Sequence, residues 1–199
     1  MIKIKIPPNK SKNYIENFFI KRGLKSIVNQ SKGVETNVNQ MILKQPYIPE
    51  LTDLYRIYQF IILNKRTTIL EFGSGWSSLI FNVAINELKK KFKNHIRKLR
   101  RNNPFEIFIL ENEKKYLNIT KHRIQKFNRD LKIKKPTNIH YCFSNIEMTT
   151  FNDRIATQYK KLPLCNPDFI YLDGPDQFNI KKDVNGISTR HKDMMPMVC

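Results

Sequence analysis

The chain has 199 residues, with 36 Lys and Arg against 17 Asp and Glu and a formal net charge of +19 at pH 7. A hydrophobic fraction of 40% with 13 Phe excludes wholesale disorder, and the length sustains one substantial core with a small appendage, not two full domains. No apolar run reaches the roughly 18 residues of a membrane span, and the N-terminus carries no secretory h-region, so a cytoplasmic protein is expected. Cys142, Cys165 and Cys199 lie far apart without a C-x-x-C pair, which points to buried thiols over a disulfide set or a zinc site.

Residues 1–64 read as a basic, helical extension packing on the core. Pro7-Pro8 and Gly33 break a polar stretch that holds a short helix around Tyr14 to Phe19. Residues before proline avoid the α region, so Gln45-Pro46-Tyr47-Ile48-Pro49 enters extended. A helix then starts near Glu50, with Leu51, Leu54, Tyr55, Tyr58, Ile61 and Ile62 at helical spacing.

Residues 65–199 alternate between strand and helix patterns. Thr67 to Phe72 is a strand, Gly73-Ser74-Gly75 a turn, and Trp76 opens a helix with an apolar stripe from Leu79 to Leu99. Phe105 to Leu110 is a second strand closed by Glu111, and a helix with Leu117, Ile124, Phe127 and Leu131 on one face follows. Asn138 to Phe143 is a third strand with Ser144-Asn145 at its tip. An irregular, partly helical stretch from Ile146 to Leu164 leads to a fourth strand, Asp168 to Asp173, and to Gly174-Pro175-Asp176. This order predicts an α/β fold: a three-layer, Rossmann-like, mostly parallel sheet with flanking helices. No β-rich run follows Asp173, so the sheet is expected to be incomplete on its C-terminal side, with the fourth strand an exposed edge.

The charge favours attraction to polyanions, but Lys, Asn and Ile are abundant throughout, and scattered lysines that solvate a surface are the first explanation. Lys89 to Arg101 is denser, with eight Lys and Arg in 13 residues. It is either a phosphate-binding helix face, and so the candidate contact for nucleic acid, or the solvated end of a long helix.

Open parallel sheets bind ligands at the carboxyl ends of their strands. Here those ends carry Glu71 with Gly73 and Gly75, then Glu111, Asn145, and Asp173 with Gly174. The glycines admit close backbone approach, a carboxylate such as Glu111 accepts from both hydroxyls of a ribose, and Asn145 has the donor and acceptor to read an adenine edge. Each alone serves equally as a cap or turn residue; four in order make a shared ligand the better explanation. Ser78 stands where the dinucleotide fingerprint has its third glycine, which weighs against NAD.

The set Glu71-Phe-Gly-Ser-Gly, Glu111, Ser144-Asn145 and Asp168-Phe-Ile-Tyr-Leu-Asp-Gly-Pro resembles the class I S-adenosylmethionine-dependent methyltransferases over residues 67–176. The resemblance implies S-adenosylmethionine lying across the turn of Glu71, Gly73, Ser74 and Gly75, with Gly73 and Gly75 flanking its methionine moiety. It also places Glu111 on the ribose and Asn145 near adenine, where this family more often has Asp. It implies methyl transfer to a small-molecule or sugar acceptor; an RNA methyltransferase and a non-catalytic nucleotide-binding member are the alternatives. Asp173 is expected beside the transfer centre, orienting substrate. With Asp176 it is similar to the paired acids of some metal-dependent members, but two carboxylates do not make an octahedral Mg²⁺ site, and no metal is expected. His191 is the candidate general base for an acceptor hydroxyl.

Overall fold

The computed structural model describes residues 4–33, 47–96, 103–152 and 154–175. Near the N-terminus, α1 (Lys12–Ile20) is capped by Ser11, whose hydroxyl accepts from the Tyr14 N–H. Gly23, at φ +76°, turns the chain after α1, and α2 (Lys25–Gln30), which the sequence reading does not anticipate, follows directly. Then α3 (Leu51–Leu63) is capped by the Glu50 carboxylate, which accepts from the Thr52 N–H at 3.0 Å. The alternating part comprises β1 (Thr68–Phe72), α4 (Trp76–Ile96), β2 (Glu106–Glu111), α5 (Lys114–Asp130), β3 (Asn138–Phe143), β4 (Ile146–Phe151), β5 (Arg154–Tyr159) and β6 (Phe169–Leu172).

Four strands form a parallel sheet in the order β3-β2-β1-β6, with Leu70 of β1 beside Phe108 of β2 and Ile170 of β6. Successive side chains point to opposite faces, which splits the core in two. Ile69, Ile107 and Ile109 face one continuous cluster with the buried residues of α1 to α5, and Phe81 of α4 meets Phe169 and Tyr171 of β6 there. Leu70, Phe72, Phe108 and Leu110 face the other way, against Tyr159, Cys165 and Cys142.

Two corrections follow. The stretch from Ile146 to Leu164 is not partly helical: β4 and β5 pair as an antiparallel hairpin, with Phe151 opposite Arg154 and Asn152 in the left-handed region at φ +48°. Thr, Gln and Tyr alternating around an asparagine turn favour this conformation over a helix. Among the described residues the three-layer arrangement also changes, because α1 to α5 all pack on one face while the hairpin lies toward the other. Handedness explains the side: β1 to β3 step one way across the sheet, and a right-handed return past β1 to β6 must cross the opposite face. On that face β6 is the edge among the described residues, and its Ile170 and Leu172 are each 41% exposed.

The far end of the sheet is locked by Asp168, just before β6. Its carboxylate accepts from the N–H groups of Thr67 and Thr68, each at 2.9 Å, and from the Thr67 hydroxyl at 3.1 Å. The N-terminal helices are joined to the rest through Arg22, whose guanidinium lies 3.7 Å from the Phe18 ring centroid and donates to the Tyr58 hydroxyl, which in turn donates to Glu87 of α4. Cys142 and Cys165 are half-buried free thiols, not fully buried ones, and Cys199 lies outside the described residues. No helix of the described residues is long and apolar enough to cross a membrane.

Candidate functional site

The order of the strands reverses between β1 and β6, so the carboxyl ends of these two strands and of β2 frame the crevice where such sheets hold ligands. There the chain leaves β1 through Gly73 at φ +96°. A Cβ on Gly73 would stand 2.8 Å from the backbone carbon of Asp173, so the turns after β1 and β6 touch through bare backbone. Gly75 differs. Among the described residues beyond its chain neighbours, a Cβ there would meet nothing closer than the Ser77 hydroxyl at 3.9 Å, which leaves space beside the turn.

Glu71, at the end of β1, is completely buried and accepts from the hydroxyls of Ser77 and Ser78 in the first turn of α4. Burial pushes its carboxyl up to about 8, the two serine hydroxyls acting against this and the neighbouring Asp173 and Glu111 adding to it. Glu71 therefore fastens the start of α4 to the strand. Glu111, at the end of β2, is 4% exposed. One carboxylate oxygen accepts from the N–H groups of Asn112 and Glu113 at 2.8 and 2.9 Å, the other from the Ser74 hydroxyl at 2.6 Å. Burial raises its pKa against these hydrogen bonds.

Asp173 reaches solvent at the end of β6, and partial burial raises its carboxyl. No Lys or Arg among the described residues pairs with Glu71, Glu111 or Asp173; the ion pairs use Glu16, Glu87, Glu106 and Glu147. A protein of charge +19 thus gathers three acids at one end of its sheet with no base among them. No group of three or more His, Cys, Asp or Glu among the described residues is arranged to hold a metal ion.

The structure brings Glu71, Gly73, Ser74, Gly75 and Glu111 together, with Asp173 touching Gly73. Asn145 is exposed; its backbone carbonyl accepts from the Lys160 N–H at 2.9 Å, while the Ser144 N–H before it donates to the Glu111 carbonyl at 3.1 Å. His191 and Asp176 lie outside the described residues. So does the basic run beyond Ile96. In the described part of the run, before Ile96, Lys89 donates to the Pro136 carbonyl and Lys91 pairs with Glu87 at 2.6 Å.

Three groups here are absent from the sequence reading. The Tyr159 hydroxyl is buried against the turn, 3.3 Å from where a Cβ on Gly174 would stand; burial with Glu111 and Glu71 nearby pushes its pKa up, and the Gly73 backbone within hydrogen-bonding reach acts against this. The side-chain oxygen of Asn112, next to Glu111, is buried and unpartnered. Arg123 of α5 stacks on Trp76, the first residue of α4, at 3.6 Å, while the Trp76 indole donates to the Tyr47 carbonyl. A buried polar atom left unpartnered costs about 1–3 kcal/mol, and the Asn112 oxygen beside Glu111 fits a site whose remaining partner is a ligand. Open space at Gly75 and an acceptor set at Glu111 and Asn112 suit a molecule that carries vicinal hydroxyls and an amine. Neither a family model, a curated protein nor a solved structure matches this chain.

Proposed function

We propose that this end of the sheet binds S-adenosylmethionine and that the chain is a methyltransferase of the class I type, acting on a small-molecule or sugar acceptor. The observation that carries the reading is the pair of acids Glu111 and Asp173 at the reversal of strand order, outside the ion pairs of the described residues, with Glu71 buried and protonated beside them at neutral pH. Opposite charges attract across a desolvated site, so a cation such as a sulfonium with an ammonium group is favoured there and a pyrophosphate is repelled. That argues for S-adenosylmethionine over NAD.

When bound, this cofactor supplies a methyl group activated by positively charged sulfur. The protein supplies position. Glu111 accepts from the ribose hydroxyls through the oxygen that Ser74 now occupies. Asn112 offers its unpartnered oxygen to an amine, and Gly75 leaves room for the ligand against the turn. Glu71 holds the turn in shape from beneath. Asp173, at the solvent side, attracts the cationic end and orients the acceptor. Alignment of this kind supplies much of the acceleration of a transfer between two bound groups.

Calorimetric titration with S-adenosylmethionine tests the reading. Micromolar binding, lost in Glu111→Ala and not competed by NAD, is the expected result. Absence of heat with the folded protein, or equal binding by Glu111→Ala, contradicts it.

A further inference from the structure

The densest basic surface among the described residues is the outer side of α5 with the turn that follows it. Residues 114–135 contain nine Lys and Arg and one acid, Asp130. One stripe of the helix, Lys114, Asn118, Lys121, Gln125 and Arg129, is exposed along its whole length and offers only hydrogen-bond donors and amides. None of its three cations is among the ion pairs, which use Arg22, Lys32, Lys91, His140 and Lys160.

The fold lays this stripe beside β3, an edge strand, and sets cations over its aromatic side chains. The Lys114 ammonium is 5.0 Å from the Phe143 ring centroid and the Lys121 ammonium 5.8 Å from that of Tyr141. Tyr141 and Phe143 are two residues apart on one face of β3, and Lys114 and Lys121 two turns apart on one side of α5, so the pairs form a ladder along the seam. Phe143 is 39% exposed, enough of a ring for a base to stack on.

We propose that the seam between α5 and β3 is a docking surface for single-stranded nucleic acid, with phosphates along Lys114, Lys121 and Arg129 and a base on Phe143. Repeated cations beside an exposed ring match the alternation of phosphate and base in a single strand, whereas a duplex hides the faces of its bases. The proposal does not require the methyltransferase reading: Phe143 borders the acidic end, where it pairs in register with Glu111, but Lys121 and Arg129 lie further along α5, about two and about four turns beyond Lys114.

The probe is a fluorescein-labelled 15-nucleotide oligouridine, followed by anisotropy against salt, with thermal melting to verify each variant's fold. The unmodified protein should bind with a log-log salt slope of about −2, three phosphates at about −0.7 each. The triple variant Lys114→Glu, Lys121→Glu, Arg129→Glu should lose at least about tenfold in affinity and flatten that slope. Lys12→Glu, Lys21→Glu, Lys25→Glu makes the same change in net charge on α1, its C-terminal cap and α2, and should stay within about twofold. Phe143→Ala should lose about fivefold with the slope unchanged. Equal losses in the two triple variants reduce the effect to net charge and overturn the proposal. So does no binding at low salt, or binding to duplex or to phosphatidylserine vesicles that is as tight and as sensitive to the α5 triple.

Discussion

The two sides of the turn after β1 are built from the same short stretch and are used differently. On the inner side everything is taken: Glu71 is buried under two serine hydroxyls, and Gly73 presses against the backbone of Asp173 and Gly174. On the outer side things are replaceable: among the described residues Gly75 faces open space, one oxygen of Glu111 is held by a single loop hydroxyl, and the buried Asn112 oxygen lacks a partner. The difference teaches that a motif's residues need not share one task. Glu71 and Gly73 shape the turn, whereas Ser74, Gly75 and Glu111 carry the proposed ligand contacts.

Substitutions on the inner side should break the fold, and those on the outer side should change binding. Gly73→Ala has the largest expected effect, because a Cβ at φ +96° is strained and would collide with backbone that cannot yield. A stability loss of at least about 2 kcal/mol is expected in urea unfolding. An unchanged midpoint would place the glycine requirement outside packing.

The next effect concerns pH. The Glu71 carboxyl titrates near 4.5 when unfolded and near 8 when folded. Between those values the unfolded chain ionises while the folded one keeps its proton, so stability falls as pH rises from about 4.5 to about 8 and then levels off. Below 4.5 both states are protonated and the term vanishes. Glu71→Gln, which keeps hydrogen-bonding capacity without the charge, should flatten this slope and gain on the order of 3 kcal/mol relative to the unmodified protein at pH 8. Parallel pH profiles for the two proteins would contradict the buried, serine-held carboxyl.

Ser74→Ala sharpens the comparison most finely. It removes the hydroxyl on Glu111 and should lower stability by about 1 kcal/mol. Because the ligand takes the same oxygen, affinity for S-adenosylmethionine should rise by about two- to fivefold, read by calorimetry. A weaker affinity would mean that Ser74 supports the ligand instead of yielding to it.

Much of this fold is legible in the sequence because apolar periodicity is strong where burial is strong. Strands β1 and β2 read as apolar runs because they are covered on both faces, and α3 and α4 show their stripes for the same reason. The β4–β5 hairpin hides because, among its side chains whose burial is described, Met148 and Ala156 are the buried apolar ones, and Glu147, Thr149, Thr150, Phe151 and Gln158 stand around them at a half-wet surface. The six-residue α2 leaves too few turns for a period to emerge.

At the site, the strand-end acids and glycines are visible from their order, since a parallel sheet sends every strand end to one side. Their division of labour is not. That Glu71 is consumed depends on Ser77 and Ser78 folding back from the next helix. Tyr159 reaches the turn only through the hairpin, from 86 residues beyond Gly73 in the chain. Such contacts arise from tertiary placement, which local spacing does not carry.

The most direct test of the outer side as a ligand site is the affinity of Gly75→Ala for S-adenosylmethionine, measured together with its melting temperature. Among the described residues beyond its chain neighbours, the added methyl group meets no atom closer than 3.9 Å, so the fold should lose no more than about 1 kcal/mol. Binding should weaken at least about tenfold, because the methyl group occupies the ligand's space. Unchanged affinity in an equally stable variant would show that nothing binds against this turn.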